Sequence, residues 1–148
     1  MKDREILGPE LGDMHEARIM NRIVRWTQRG LEYEVDQRHT EIIVQCLELE
    51  HASSVTRPGV KVKSEEDKEP KELEVQEATR FGAIVARANY LAQDRSEIAF
   101  AAKEVCRHMA KPTEESWVAM KRLGRYLLKC PRTVTHFTGQ ESSNFRVY

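Results

Sequence analysis

Four cations close together in the chain have a spacing that could do chemistry. In TEESWVAMKRLGRYLLK, residues 113–129, Lys121, Arg125 and Lys129 recur every four residues, and Arg122 lies beside Lys121. On a helix this spacing stacks the charges along one face. Such a face can bind phosphates of a duplex, positioning it without reading its sequence. The same stripe also suits a solvated helix face, or an ion-pairing partner for an acidic part of the chain. Trp117 and Tyr126 lie on the same helix and could stack on bases. Helical Trp and Tyr more often belong to a core, and we assign Trp117 there.

Other chemistries find less support. Two-metal phosphoryl transfer needs clustered carboxylates, and no Asp-Asp pair occurs in the sequence. Glu65-Glu66-Asp67 is an acidic cluster, but such charge runs are usually solvated. Cys106 and His108 are two apart on a predicted helix, so they face nearly opposite sides. Cys130 and His136 lack a zinc-finger spacing. Cys106 or Cys130 could pair with a distant His as a nucleophile, but nothing local in the sequence supports it. Gly82, Gly124 and Gly139 stand alone, without a phosphate-binding glycine loop. We expect no metal and no cofactor in this chain.

The elements that must hold the stripe are three successive helical patterns. In the first, Phe81, Ile84, Val85, Ala88 and Leu91 fall on one face at helical spacing. The second opens at Asp94 with Glu97 three residues on, a capping-box pattern. Its apolar stripe is Ile98, Ala101, Ala102, Val105 and Met109. The third follows Pro112, with Thr113 as N-cap and Glu114 and Glu115 where the helix dipole favours acids. Trp117, Met120, Leu123 or Gly124, and Leu127 make its apolar face.

A chain of 148 residues suits one modest domain or a part of something larger. Its zero net charge hides an asymmetry. Residues 1–77 hold 12 Lys+Arg against 18 Asp+Glu, and residues 78–148 hold 12 against 6. A polyanion would therefore meet the C-terminal half, unless the two halves simply attract each other. Three cysteines without framework spacing point away from a secreted disulfide scaffold. With no signal peptide or membrane-length apolar run in view, an intracellular location and no membrane partner are expected.

Upstream, residues 1–16 read as loop. Ala17–Trp26 is a β-like run, Thr27–Gly30 a turn with Gly30 able to take positive φ, and Leu31, Tyr33 and Val35 alternate with acids as a half-buried strand. The reading is a hairpin over Ile19–Val35, then a short helix over Gln37–Leu49 capped by Asp36. From His51 to about Gln76 periodicity fails, and a solvated acidic linker is expected. After Pro131, Thr133, Thr135 and Phe137 alternate as a strand, and Phe145–Tyr148 would begin another.

The third helix and its approach resemble a known family. Copia-type LTR retrotransposon Pol polyproteins carry, late in the reverse transcriptase region, a pattern like Y-L-x-x-x-R-x-D-I-x-F-A-x-x-x-x-x-R-x-M-x-x-P-T-x-x-x-W-x-A-x-K-R-x-x-R-Y-L. Here Tyr90, Leu91, Arg95, Ile98, Phe100, Ala101, Arg107, Met109, Pro112, Thr113, Trp117, Ala119, Lys121, Arg122, Arg125, Tyr126 and Leu127 match in order and spacing, with Glu97 in place of the usual Asp. The resemblance is clearest from Ala78 to Lys129 and traceable upstream. There, residues 19–49 look like the primer-grip hairpin and its following helix, with Met20-Asn21 where the family has Leu-Gly.

The resemblance implies a thumb/connection part of an RNA-directed DNA polymerase. Residues 1–50 would be the grip-like hairpin and first helix, 51–77 an acidic disordered linker, 78–130 the helical segment, and 131–148 strands leading toward an RNase H domain. Lys121, Arg122, Arg125 and Lys129 would contact an RNA–DNA or DNA template–primer duplex, with Arg25 and Trp26 touching the primer backbone. Mg²⁺ and the catalytic carboxylates would be supplied by the palm and RNase H domains of the parent polyprotein, so this chain alone is expected to be inactive. The fold class expected is α+β, mostly helical. A different class of function, a stand-alone helical protein-interaction module, would use the face left bare by a missing palm.

Overall fold

The computed structural model describes residues 6–60 and 70–139. It is an α+β structure of four strands and four helices, the class the sequence predicts. The chain forms two compact units. One comprises Met1–Asp36 and Arg132–Tyr148, and the other is Gln37–Pro131, inserted in sequence into the first.

The first unit is an antiparallel sheet of β1 (Glu16–Ile19), β2 (Arg22–Thr27), β3 (Gly30–Glu34) and β4 (Val134–Thr138), in that order across the sheet. The predicted turn at Thr27–Gly30 is present. The Thr27 hydroxyl donates to the Gly30 carbonyl at 2.9 Å. Gly30 has φ +130°, and a Cβ there would lie 2.0 Å from the Phe137 carbonyl oxygen on β4. The expected single run over Ala17–Trp26 is in fact two strands. It breaks at Met20 and Asn21, which both take positive φ, 49° and 64°. That pair of angles makes the tight turn whose twist suits a hairpin. No glycine marks it, so the sequence reads straight through.

Register sorts the sheet residues by face. Ala17, Val24, Tyr33 and Thr135 line up across the strands, and beside them Trp26, Leu31 and Phe137. The other face carries Glu16, Arg25, Glu32 and His136 in one row, with Ile23, Glu34 and Val134 in the next. The further strand expected at Phe145–Tyr148 lies outside the described residues.

The second unit holds α1 (Arg38–Cys46), α2 (Val75–Leu91), α3 (Ser96–Cys106) and α4 (Glu114–Lys129). Contacts run α1–α2, α2–α3, α3–α4 and α4–α1, closing a ring. Into it point the predicted apolar faces: Phe81, Ile84, Val85, Ala88 and Leu91 of α2, Ile98, Ala101, Ala102 and Val105 of α3, and Met120, Leu123, Gly124 and Leu127 of α4. Met109, expected on the α3 stripe, is exposed and lies past the end of that helix.

Helix ends are where expectation and structure part most. Thr113 caps α4 as predicted. Its hydroxyl accepts from the Ser116 amide, and its own amide donates to Ser116 Oγ at 2.8 Å. Asp36 does not cap α1, where Gln37 holds the N-cap position. Asp94 does not cap α3 either. The amides of Asp94 and Arg95 still donate to Leu91, so the chain is finishing α2 there and Arg95 becomes the N-cap. Glu97, instead of closing a box, accepts from Arg95 Nε at 2.7 Å. The Arg95 side chain is 1% exposed, and both its terminal nitrogens are buried without a hydrogen-bond partner.

The first helix is shorter than the expected Gln37–Leu49. It ends in a left-handed residue, Glu48, at φ 56°. The Leu49 amide donates to Val44 and the Glu48 amide to Gln45, the paired bonds of a Schellman motif. Leu49 and Val44 are both buried, giving the apolar contact that accompanies it. Leu47 and Leu49 then sit on Gly124 of α4, where an added Cβ would lie 2.6 and 2.7 Å from their Cδ1 atoms.

Residues 51–60, expected to open a solvated linker, instead lie along the helices. The Val55 amide donates to the Arg125 carbonyl, Arg125 Nε donates to the Ser53 carbonyl, and Gly59 touches Ala101. The acidic run Glu65-Glu66-Asp67 lies outside the described residues. The chain reappears with Leu73 donating to the Pro112 carbonyl, and α2 begins at Val75, inside the range expected to be linker.

Two predictions follow from this packing. Gly82, on α2 with no atom within 4 Å of an added Cβ, should gain about 0.5–1 kcal/mol on Gly82→Ala from helix propensity. Gly124→Ala should instead lose about 1–2 kcal/mol, because overpacking outweighs that gain. Urea midpoints that move the same way for both would contradict the close packing at Gly124. Arg95→Met combined with Glu97→Gln should leave stability unchanged or raise it by about 1–4 kcal/mol, since the ion pair is replaced as a whole and no unpaired charge remains. A clear fall in the urea midpoint would mean that the guanidinium is needed where it is.

Candidate nucleic-acid interface

The cationic stripe is carried by α4, whose start is fixed by the Thr113–Ser116 capping box and whose inner face is buried. The four predicted cations are not equivalent. Lys121 and Lys129 are exposed. The Lys121 ammonium stands 5.9 Å from the centroid of the Trp117 ring, and the Arg80 guanidinium lies 6.0 Å from the same centroid. Trp117 itself is half-buried, 6.0 Å centroid to centroid from Phe81. It is packed as a core edge with two cations held near its ring.

Arg125 is half-buried and tied by Nε to the Ser53 carbonyl. Arg122 is also half-buried, and its Nε is fully enclosed without a hydrogen-bond partner. Both arginines line a cavity of about 570 Å³ between α3, α4 and the segment running to Val60. The stripe is thus two free lysines and two arginines set into a wall. Tyr126 is half-buried, and burial, with Cys130 beside it, pushes its hydroxyl pKa up.

Arg25 and Trp26 belong to the sheet unit. As neighbours on a strand they point to opposite faces, so their side chains cannot grip one phosphate run together. Trp26 pairs with Leu31 across β2–β3 and is half-buried. Arg25 is held between two carboxylates, Glu16 and Glu34, each at 2.6 Å. Arg132 also reaches Glu34, at 2.6 and 2.9 Å. These hydrogen bonds, from Arg132 and then Arg25, hold the Glu34 carboxyl down at about 2 from an ordinary value of 4.5. The family resemblance implied that Arg25 touches the primer backbone. Its position opposite Glu32 and Glu16 follows from register, which a single sequence does not supply.

Cys46, Cys106 and Cys130 are free and half-buried, and burial raises the Cys106 pKa. Among the described residues no group of three or more His, Cys, Asp or Glu side chains comes together as a metal site. No helix among them is long and apolar enough to cross a membrane. What sequence reading missed is the cavity wall. The signal was an apolar residue off the stripe: Phe100 lies two positions from Ile98 and is 64% exposed. No family model, curated protein or solved structure matches the chain.

A carboxylate with a depressed folded-state pKa contributes stability that is present above its unfolded value and lost as pH falls through the folded one. Glu34 should therefore make the chain lose stability between pH 4.5 and about 2. Glu34→Gln should be less stable than wild type at neutral pH, and the gap should close across that window. Urea midpoints measured against pH for both proteins check this. A gap that stays constant would remove the ion-paired role of Glu34.

Proposed function

We propose that this chain is the thumb/connection part of a copia-type reverse transcriptase and holds the template–primer duplex by its phosphates. The observation that carries the reading is the pattern from Tyr90 to Leu127, which runs without a gap through the end of α2, α3, the Pro112–Thr113 corner and α4. Of its apolar members, Leu91, Ile98, Ala101 and Leu127 are buried and serve the packing, whereas Phe100 and Met109 are exposed, and the exposed Lys121 is left for a partner.

In this reading Lys121 and Lys129, on the solvent side of α4, supply the phosphate contacts. Arg122 and Arg125 give a positive field behind them, and Arg25, neutralised by its carboxylates, contributes little. Lysine contacts of this kind hold register and orientation and carry no sequence information. Polymerisation and RNA cleavage would take place on the palm and RNase H domains of the parent polyprotein, with Mg²⁺ there. This chain by itself would do no chemistry.

The test is fluorescence anisotropy of the purified chain with an RNA–DNA hybrid of about 20 base pairs across a salt series. Affinity should fall linearly with the logarithm of salt concentration. The double variant Lys121→Ala/Lys129→Ala should lower that slope by about two, one for each phosphate contact removed. No binding, or binding indifferent to salt, would sink the duplex reading.

A further inference from the structure

The helical unit carries a second feature, of which the duplex reading uses only the cations at one end. The cavity beside Arg122 and a neighbouring one of about 520 Å³ share Val60, Phe100, Glu104, Val105 and Ala119. They are one continuous trough between α3 and α4. Along α4 its lining runs from Glu115 to Arg125, roughly 15 Å at helical rise. That length suits about three turns of a second helix better than a compact small molecule.

The trough is apolar where a buried surface would be expected and exposed where one would not. Phe100 and Val118 are each 64% exposed and Val60 is 50% exposed, all three on its walls. A contiguous apolar patch of this kind marks a site of contact. Its charge is uneven. One end has Lys121, Arg122 and Arg125 against Glu104, and the other mixes Arg107 and His108 with Glu115. At the basic end the Arg122 Nε–H is enclosed and has no hydrogen-bond partner among the described residues.

A nucleic-acid strand fits this trough poorly. It has no aliphatic side chain to lie between Phe100 and Val118, and Glu104 and Glu115 would meet its phosphates. An amphipathic peptide meets both requirements. We propose that the α3–α4 trough docks an amphipathic helix of a partner protein. Its apolar stripe covers Phe100, Val105 and Val118, and its carboxylates sit at the Arg122–Arg125 end. The inference shares Lys121 with the duplex reading but rests on Phe100 and Val118, which that reading does not use.

The experiment pans the full chain against a displayed library of helical segments about 16 residues long, counter-selected on Phe100→Ser. Phe100 is mostly exposed, so this variant keeps the fold, and circular dichroism checks that it does. Selected peptides should carry an apolar stripe at helical spacing and acidic residues toward one end. As purified fluorescein conjugates they should bind Phe100→Ser at least about tenfold more weakly, and Arg122→Gln/Arg125→Gln by a similar factor. Peptides with no acidic bias, equal binding to Phe100→Ser, or no enrichment would overturn the proposal. So would self-association of the chain that Phe100→Ser abolishes and that blocks the peptide, since the trough would then belong to a second copy. Displacement of the peptide by the hybrid duplex that persists in Lys121→Ala/Lys129→Ala would likewise overturn it, and would assign the trough to the nucleic-acid path.

Discussion

The missing side chain of Gly124 sets the geometry of the helical unit. Leu47 and Leu49 occupy the space where a Cβ and its hydrogens would be, so the end of α1 can lie directly on α4. Ridges cannot interlock this closely when both helices carry side chains at the crossing. Because α1 ends there in a Schellman turn, the chain leaves Leu49 already aimed along α4. Residues 53–55 can then bond to Arg125 and Gly59 can reach Ala101. The wall of the trough is thus a consequence of one glycine on the face of α4 that meets Leu47 and Leu49.

The allocation of charge follows a similar logic. The C-terminal half has a surplus of cations, but several are used inside the molecule. Arg132 joins Arg25 on Glu34, Arg80 bonds the Cys46 carbonyl and Glu48, and Arg125 holds a loop. Arginine suits these tasks because its fork can serve two acceptors at once. The lysines of α4 are left at the surface, where a flexible ammonium makes a weak structural tie but a serviceable phosphate contact. Net charge counted along the sequence overstates what a partner would feel.

Much of the fold was legible because burial follows period. The faces of α2, α3 and α4 could be read residue by residue, and so could the Thr113 cap, since a helix that follows Pro112 has few other starts. The illegible parts have local causes. Asp94 has the right spacing for a cap, but its amide and that of Arg95 still bond back to Leu91 at the end of α2. Met20 and Asn21 turn the chain without glycine, against the usual preference at positive φ. Residues 51–60 have no periodicity because they bond to a helix rather than forming one. Of the candidate site, the stripe was visible as a spacing. That two of its members face a wall depended on a loop whose course no pattern announces, and Phe100 was hidden by being apolar in the wrong register.

The insertion of one unit into the other has a consequence for synthesis. β3 and β4 pair Glu34 with Val134, about 100 residues apart, so closing that ladder requires a long loop to be ordered first. On a ribosome β1 to β3 emerge together, and β3 then waits with an unpaired edge for roughly 5–20 s while the helical unit is made. An open edge is a template for the wrong strand. The acids on β3, Glu32 and Glu34, lie along that edge during the delay. With Arg25 of β2 shared between Glu16 and Glu34, the surplus negative charge would repel a second nascent copy until Arg132 and β4 arrive to balance and cover it.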